Sequence, residues 1–226
     1  MTEMTGKKLL DAVDKLIDQH HLLGHPFYQA WTKGSLSKEA LQLYAAQYYR
    51  HVAAFPDHLR ALAERTDGPV REMILENLAE EENPEAPHPM LWRQFAHAVG
   101  VSDHDIDTAV PLDGIQALND TYSGIAKEAS ILAAIAAFYA YEAQIPEIAA
   151  EKIKGLKAHY EVHDREGLAY FGVHEKTDRI HRAQWRKVLM EQPCGDSEEI
   201  LAAVEAGLKA LWSALDSCHI DQPTVH

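Results

Sequence analysis

Several features that define other protein classes are scarce in this sequence. Only two cysteines occur among 226 residues, Cys194 and Cys218, which excludes a disulfide framework or a thiolate metal site and favours a reducing cytoplasm. Lysine and arginine number 21 against 35 acidic residues, and the net charge of −14 argues against a nucleic-acid or anionic-membrane partner. The most apolar run, residues 131–140, is too short to span a bilayer. We therefore expect a cytoplasmic protein that binds neither nucleic acid nor membrane.

Strict alternation of apolar and polar residues is also missing, whereas helical periodicity runs along nearly the whole chain. The pattern predicts an all-α fold, a single domain of about seven or eight helices, ordered over about 6–216 with a tail at 217–226. The predicted helices cover about 6–20, 68–83, 91–99, 114–145, 146–160, 164–191 and 198–215. A further long helix begins at Ser37 and is kinked at Pro56, and a short helix begins at the capping box Ser102/Asp105. A second capping box, Asp196/Glu199, precedes the last helix.

The strongest candidate site is formed by His174, Asp178 and His181. On a helix, Asp178 lies roughly 40° from His174 and His181 roughly 20° on the other side, so the three side chains share one stripe. Trp185 continues that stripe, which points it into the core. Burying two imidazoles and a carboxylate without partners costs several kcal/mol, and a divalent metal is one suitable partner. Spacing leaves two alternatives open, an aspartate-bridged pair of core histidines or a surface turn of polar residues.

Two further carboxylates fall on apolar helix faces. Glu142 ends the buried stripe of the 131–140 run, although a glutamate there could also reach solvent at the helix end. Within the run Glu80–Glu82, only Glu81 returns to the core stripe of its helix. His88 follows seven residues later in a proline-rich turn, from which it could fold back beside Glu81. Both carboxylates and His88 are therefore candidate ligands.

Together these side chains form a set of oxygen and nitrogen donors. The candidate metal ligands are Glu81, His88, Glu142, His174, Asp178 and His181. Their three negative charges would balance two divalent cations and a bridging hydroxide. A mixed donor set without thiolate favours iron or manganese over structural zinc. Such a metal pair inside a helical bundle is the usual apparatus for activating dioxygen.

The order of these ligands, together with several other segments, resembles one known family. The matching segments are His25-Pro-Phe-Tyr28, Tyr48-Tyr49-Arg50-His51, Asn77-Leu-Ala-Glu-Glu-Glu-Asn83, Tyr141-Glu-Ala-Gln-Ile-Pro146, Glu151-Lys-Ile-Lys-Gly155 and Tyr170-Phe-Gly-Val-His174. They are similar to the CADD-like proteins, named for a chlamydial protein associating with death domains, which are a branch of the heme-oxygenase-like di-iron oxidases. The similarity extends from about residue 8 to 216 and implies a heme-oxygenase-like (TenA/PqqC-like) bundle.

The resemblance also implies an unusual reaction. The family forms para-aminobenzoate for folate biosynthesis from one of its own tyrosines, with a lysine as amino donor, in a single turnover. Two metal ions (Fe/Fe or Fe/Mn), dioxygen and an external reductant carry the oxidation, and the protein is expected to be a homodimer. By motif match the consumed tyrosine is Tyr28 and the amino donor is Lys152. Tyr44, Tyr141 and Tyr170 match tyrosines suited to radical transfer.

Other interpretations remain open at this point. The first is a heme-oxygenase-like di-iron oxidase that acts on a separate fatty acid or amine, for which a large apolar pocket beside the metals would speak. A non-catalytic helical interaction protein is the second. From the residues alone, Tyr28 could be a core aromatic packed with Phe27 and Trp31, and Lys152 a solvent-facing helix lysine. A buried setting for Lys152 would instead favour the neutral amine that nucleophilic attack requires.

Overall fold

A computed structural model describes residues 6–191 and 196–219, with the side chains of residues 176, 177 and 179 left out. Cys194 and the predicted tail beyond residue 219 lie outside the described residues. Within the described ranges the regular structure is entirely helical, which confirms the predicted fold class. The α-helices are α1 (Gly6–Gln19), α2 (Pro26–Lys33), α3 (Lys38–Glu64), α4 (Gly68–Glu81), α5 (His88–Ala98), α6 (Asp103–Thr108), α7 (Asp113–Glu128), α8 (Ile131–Glu142), α9 (Ile145–His159), α10 (Arg165–Glu191) and α11 (Ser197–Cys218).

Several helix starts follow from the capping residues in the sequence. Ser37 caps α3 through its hydroxyl, and Pro56 lies inside this helix, which continues through it as one element. The predicted Ser102/Asp105 capping box is present at α6. At α11 Asp196 is the cap, and its carboxylate accepts from the amide of Glu198.

The predicted single helix over 114–145 is wrong, because the chain breaks it into α7 and α8. Ala129 and Ser130 take extended backbone angles, and the Ser130 hydroxyl then caps α8. The Ser130 amide donates to the carboxylate of Glu199, 2.8 Å away on α11, so Glu199 serves this junction instead of the predicted box. This break, together with the short helix α2, which the predicted ranges did not include, raises the helix number in the described chain above the predicted seven or eight.

Helix α8 runs through the centre of the bundle. Every residue from Ala133 to Glu142 is buried, and α8 packs against α11, α10, α1, α7 and α9. Five of its twelve residues are alanines, and their small side chains let neighbouring helices approach closely. The helix ends at Glu142, so its last turn places a carboxylate in the interior between α4 and α10. None of the helices in the described part of the chain is long and apolar enough to cross a membrane.

Candidate metal centre and tyrosine–lysine cluster

The fold brings the six predicted ligands into one buried region. Glu81 is the last residue of α4, His88 the first of α5 and Glu142 the last of α8. The other three predicted ligands come from the middle of α10, and all six side chains are buried. In agreement with the helical-wheel argument, Glu81 turns inward while Glu80 and Glu82 remain nearly half exposed.

The first half of this region is a triad of Glu81, His88 and His174. One donor atom from each residue lies within 4.8 Å of the others, close to the roughly 3–4 Å that separates neighbouring ligands held about 2.1 Å from one metal. His88 Nδ1 is 2.7 Å from Glu81 Oε2 but has no hydrogen-bond partner of acceptable geometry. His174 Nδ1 donates to the Tyr170 carbonyl at 2.8 Å, which leaves the Nε2 lone pair free to ligate. These residues therefore fit a metal ion.

The second half consists of Glu142, Asp178 and His181. His181 Nδ1 lies 3.6 Å from Glu142 Oε2 and 3.7 Å from Asp178 Oδ1, while its Nε2 lies 3.4 Å from Glu80 Oε2. His174 Nε2 is 4.0 Å from Glu81 Oε1, and Glu81, Glu142, His174 and Asp178 line one enclosed cavity of about 10 Å³. The two triads are therefore adjacent, as a dinuclear centre requires, and their role as metal ligands stays a prediction.

The charges in this region are poorly balanced without a cation. Burial raises the pKa of Glu142 and of Asp178, and repulsion from the neighbouring carboxylates raises both further. Burial also lowers the pKa of His174 well below its usual value, which keeps the imidazole in its neutral, ligating form. Divalent ions would compensate the clustered carboxylates while binding the neutral imidazoles, so the electrostatics favour bound metal.

Two supporting residues were missed by the sequence prediction. Asn77 Nδ2 donates to Glu142 Oε1 at 2.7 Å, and Trp185 Nε1 donates to Glu142 Oε2 at 2.9 Å. Each carboxylate oxygen thus has a fixed neutral donor, which orients Glu142. A signal was present for Asn77, since it lies four residues before Glu81 on the same face of α4.

A second cluster surrounds Lys152 on α9. Its Nζ donates to Tyr44 Oη at 2.7 Å, and Tyr44 Oη is 3.4 Å from Tyr28 Oη. The amine also lies 5.4 Å from the centroid of the Tyr28 ring and 5.5 Å from the Trp92 ring. Lys152 is only 6% exposed, so the solvent-facing alternative is wrong. Burial lowers its pKa to about 7, because no carboxylate offsets the desolvation of the ammonium.

Close packing around Gly155 holds this cluster in place. A Cβ on Gly155 would lie 2.4 Å from Trp31 Nε1, so glycine is required for the indole to pack against α9. Trp31 in turn packs against the Tyr28 and Tyr44 rings, with centroids 6.3 Å and 6.2 Å away. Tyr28 is therefore a packed core aromatic as well as a neighbour of the amine.

Two small cavities connect the clusters. One of about 20 Å³ is lined by residues that include Tyr28, Lys152, Tyr170 and His174. His174 and Tyr170 also line the cavity of about 10 Å³ beside the carboxylates, as does Tyr141. The Tyr170 ring centroid lies 4.2 Å from that of His174. Tyr28 and Lys152 thus line a cavity that shares wall residues with the cavity beside the predicted metal ligands.

Comparison with known proteins identifies the family. The family model for iron-containing redox enzymes of the heme-oxygenase-like group matches residues 42–214. The chain belongs to this family. The enzyme is 39% identical over 209 residues to the 4-aminobenzoate synthase of Chlamydia muridarum, covering 92% of this chain and 89% of the relative. It is 38% identical over 221 residues to the 4-aminobenzoate synthase of Nitrosomonas europaea, covering 92% of this chain and 89% of that one.

The same fold is found in solved structures of low sequence identity. A TenA homologue from Pseudomonas syringae superposes with a TM-score of 0.79 at 18% identity, covering 94% of this enzyme and 91% of the homologue. The solved structure confirms the predicted heme-oxygenase-like fold. The family match confirms an oxidoreductase, so the alternative of a non-catalytic helical interaction protein is wrong.

Proposed function

We propose that this enzyme forms 4-aminobenzoate from its own Tyr28, with Lys152 as the amino donor and two metal ions as the oxidising centre. The observation that carries the proposal is the position of the Lys152 amine. It is buried, has a lowered pKa and lies within one interior with Tyr28 and the predicted ligands. The relatives named 4-aminobenzoate synthase support the product, since they align over nearly the whole chain.

The donor set fits the two metal ions that the proposal requires. Glu81, His88 and His174 would hold one ion, and a second set would hold the other, namely Glu142, Asp178 and His181. Bound iron, alone or paired with manganese, would supply dioxygen activation with electrons from an external reductant. The unpaired Nδ1 of His88 and the Nε2 of His174 support this assignment, because both are buried nitrogens within 4.0 Å of the Glu81 carboxylate.

The structure of the product dictates which bonds of Tyr28 must change. In 4-aminobenzoate a carboxylate stands para to an amine, as Cβ stands para to the phenolic oxygen in tyrosine. The Cα–Cβ bond of Tyr28 would therefore break, and dioxygen would oxidise Cβ to the carboxylate. Nitrogen from Lys152 would replace the phenolic oxygen, which would leave as water, and the Cε–Nζ bond of Lys152 would break to release the product. Lys152 can act on the ring because its pKa of about 7 leaves a large neutral fraction near neutral pH.

The size of the interior favours an internal substrate over a separate one. The cavities beside the predicted ligands hold about 20 Å³ and 10 Å³, room for little more than a water molecule each. Drug-sized ligands occupy pockets of about 300 Å³ or more. A fatty acid would not fit without displacing aromatic side chains, whereas the Tyr28 ring is already in place, 3% exposed.

Aromatic side chains connect the metal ligands to Tyr28. From His174 the sequence of rings passes through Tyr170 and Trp92 to Tyr44, with successive centroid separations of 4.2, 4.9 and 5.6 Å. Tyr44 then reaches Tyr28 through the contact between their hydroxyl oxygens. We assign Tyr44 and Tyr170, together with Tyr141 beside Glu142, to the transfer of oxidising equivalents from the metal centre to Tyr28.

The proposal is tested by intact-mass analysis of protein made with ring-labelled tyrosine. The labelled protein is loaded with iron, with or without manganese, and exposed to reductant and dioxygen. We expect labelled 4-aminobenzoate and a mass loss that peptide mapping places at Tyr28. Tyr28→Phe should abolish the product, whereas Tyr49→Phe, which alters a partly exposed tyrosine stacked under Arg93, should retain it. Unlabelled product, or full output from Tyr28→Phe, would contradict the proposal.

A further inference from the structure

Three buried polar atoms without hydrogen-bond partners belong to neighbouring side chains of α3 and α7. They are His51 Nε2, His58 Nε2 and Tyr122 Oη. The His51 ring centroid is 6.5 Å from that of His58 and 5.7 Å from that of Tyr122. An unpaired buried polar group destabilises the fold, so three on neighbouring side chains indicate a partner that is not protein. Within the described structure, no protein group supplies it.

The tautomer of His51 determines whether the partner of its Nε2 must donate or accept a hydrogen bond. His51 Nδ1 lies 3.2 Å from Asn119 Oδ1, and an amide oxygen only accepts, so Nδ1 carries the hydrogen. The His51 Nε2 is then an acceptor. The Tyr122 hydroxyl can donate and accept, and a water molecule has the matching capacity for both. Buried water typically makes two to four hydrogen bonds, and these three side chains provide that number.

The inner end of this group of side chains borders the predicted metal centre. The Tyr141 ring lies 5.4 Å from that of His51 and 5.7 Å from that of Tyr122. Tyr141 precedes Glu142 and lines the same cavity as Glu81 and the other ligands. The inner end is therefore one aromatic side chain away from the place where dioxygen would be reduced.

The outer end, His58, lies just beneath the surface and is 6% exposed. His58 is two turns beyond His51 on α3, and its nearest charged neighbours are Asp57 and Lys127. The side chain of Asp57 is 79% exposed, so an ionisable group in contact with bulk water adjoins His58 along the helix. Apolar and aromatic side chains enclose most of the remaining interior. The three polar side chains thus extend from the surface to the centre.

We propose that His58, His51 and Tyr122 hold buried water and form the route by which solvent protons reach the metal centre. The proposal rests on the proposed function, because reduction of dioxygen consumes one proton for each electron. Each group accepts a proton on one side and releases one on the other, so a proton taken from solvent at His58 is matched by one delivered beside Tyr141. No other bond changes, and the electrons come from the external reductant.

The first test is structural and does not depend on activity. A high-resolution crystal structure of the metal-loaded protein should show ordered water within hydrogen-bond distance of His51 Nε2 and Tyr122 Oη. Tyr122→Phe removes one of its partners and should displace that water while the ring remains. If the region is dry in the wild-type protein, the proposal is wrong.

The second test measures the rate of dioxygen consumption by reduced, metal-loaded protein in H2O and D2O. Tyr122→Phe and His58→Gln should each slow the reaction by at least about tenfold and enlarge the solvent isotope effect. Tyr139→Phe is the matched control for the first, because it removes a buried hydroxyl that instead bonds Asp14 and Arg186. His97→Gln, an exposed histidine, is the control for the second.

The outcomes separate this proposal from the proposed function. Wild-type protein that consumes dioxygen without forming 4-aminobenzoate would refute the proposed function, while the isotope effects still test the proton route. Wild-type rates in both variants would refute the proton route, as would slow rates with an unchanged isotope effect, which indicate a packing role. Slow rates with an enlarged isotope effect, absent from both controls, are the expected result.

Discussion

Replacement of Lys152 by methionine should change how the stability of the metal-free protein depends on pH. Burial lowers the Lys152 pKa from 10.5 to about 7. Between these values the folded protein lacks a proton that the unfolded chain binds, so the stability contributed by this residue rises with pH throughout that window. Below about pH 7 both states are protonated, and the cost of burying the cation is at its maximum.

The magnitude follows from the linkage relation. In this window the slope is about 1.4 kcal/mol per pH unit for a single group. Between about pH 7.5 and 9.5, the wild-type protein should therefore gain roughly 2–3 kcal/mol of stability relative to Lys152→Met. Subtracting one profile of stability against pH from the other cancels the contributions of groups that titrate alike in both proteins. Methionine keeps most of the side-chain volume, so packing is little disturbed.

Urea unfolding of both proteins, followed by tryptophan fluorescence at several pH values, measures this difference. Lys154→Met is the matched control, because Lys154 lies on the same helix with its side chain 73% exposed, and its profile should parallel the wild type. Carbon-13 NMR of labelled lysine should show one Cε signal titrating near pH 7. If Lys152 instead titrates with the exposed lysines, the argument that it attacks as a neutral amine fails.

Three further predictions follow from the site. His174→Ala and Glu142→Ala should each reduce the metal content from about two ions per chain to near zero by elemental analysis, and unchanged content would contradict the ligand assignment. Because the pKa of Glu142 is raised, the folded protein keeps a proton on this carboxylate at pH values where the unfolded chain has lost it. The stability of the metal-free protein should therefore fall as pH rises from about 5 to 8. In denaturant titrations Glu142→Gln should flatten that fall, and a profile identical to wild type would refute it. Conversion of Tyr28 should leave a cavity that lowers the stability of spent protein by about 3–5 kcal/mol, and calorimetry showing no loss would contradict an internal substrate.

The sequence predicted the ligand-bearing faces because each one depends on local periodicity. The placement of Glu81 on its core stripe, and of Asp178 between two histidines, needed only the helical repeat. The break at Ser130 was missed because the apolar pattern continues across it. The bond from the Ser130 amide to Glu199, 69 residues away, depends on tertiary packing that periodicity does not report.

The tyrosine–lysine cluster shows where local patterns stop being informative. Tyr28 and Lys152 are separated by more than half of the chain, and each has an ordinary helical context. The family resemblance connected them, whereas the residues alone favoured a packed aromatic and a surface lysine. The same limit explains why Asn77 and Trp185 were missed, since their value lies in the contacts they make with Glu142 across three helices.

The enclosure of Tyr28 accounts for several properties of this interior. The packed aromatic wall that leaves little room for an external substrate also removes water from Lys152, and loss of that water lowers the amine pKa. A cleft open enough to exchange substrates would hydrate the amine, return it towards its ammonium form and weaken its nucleophilicity. An amine activated by burial and the internal substrate that we propose would therefore be two consequences of the same packing. Repeated turnover would need the opening that this packing prevents, so the geometry favours an enzyme that acts once.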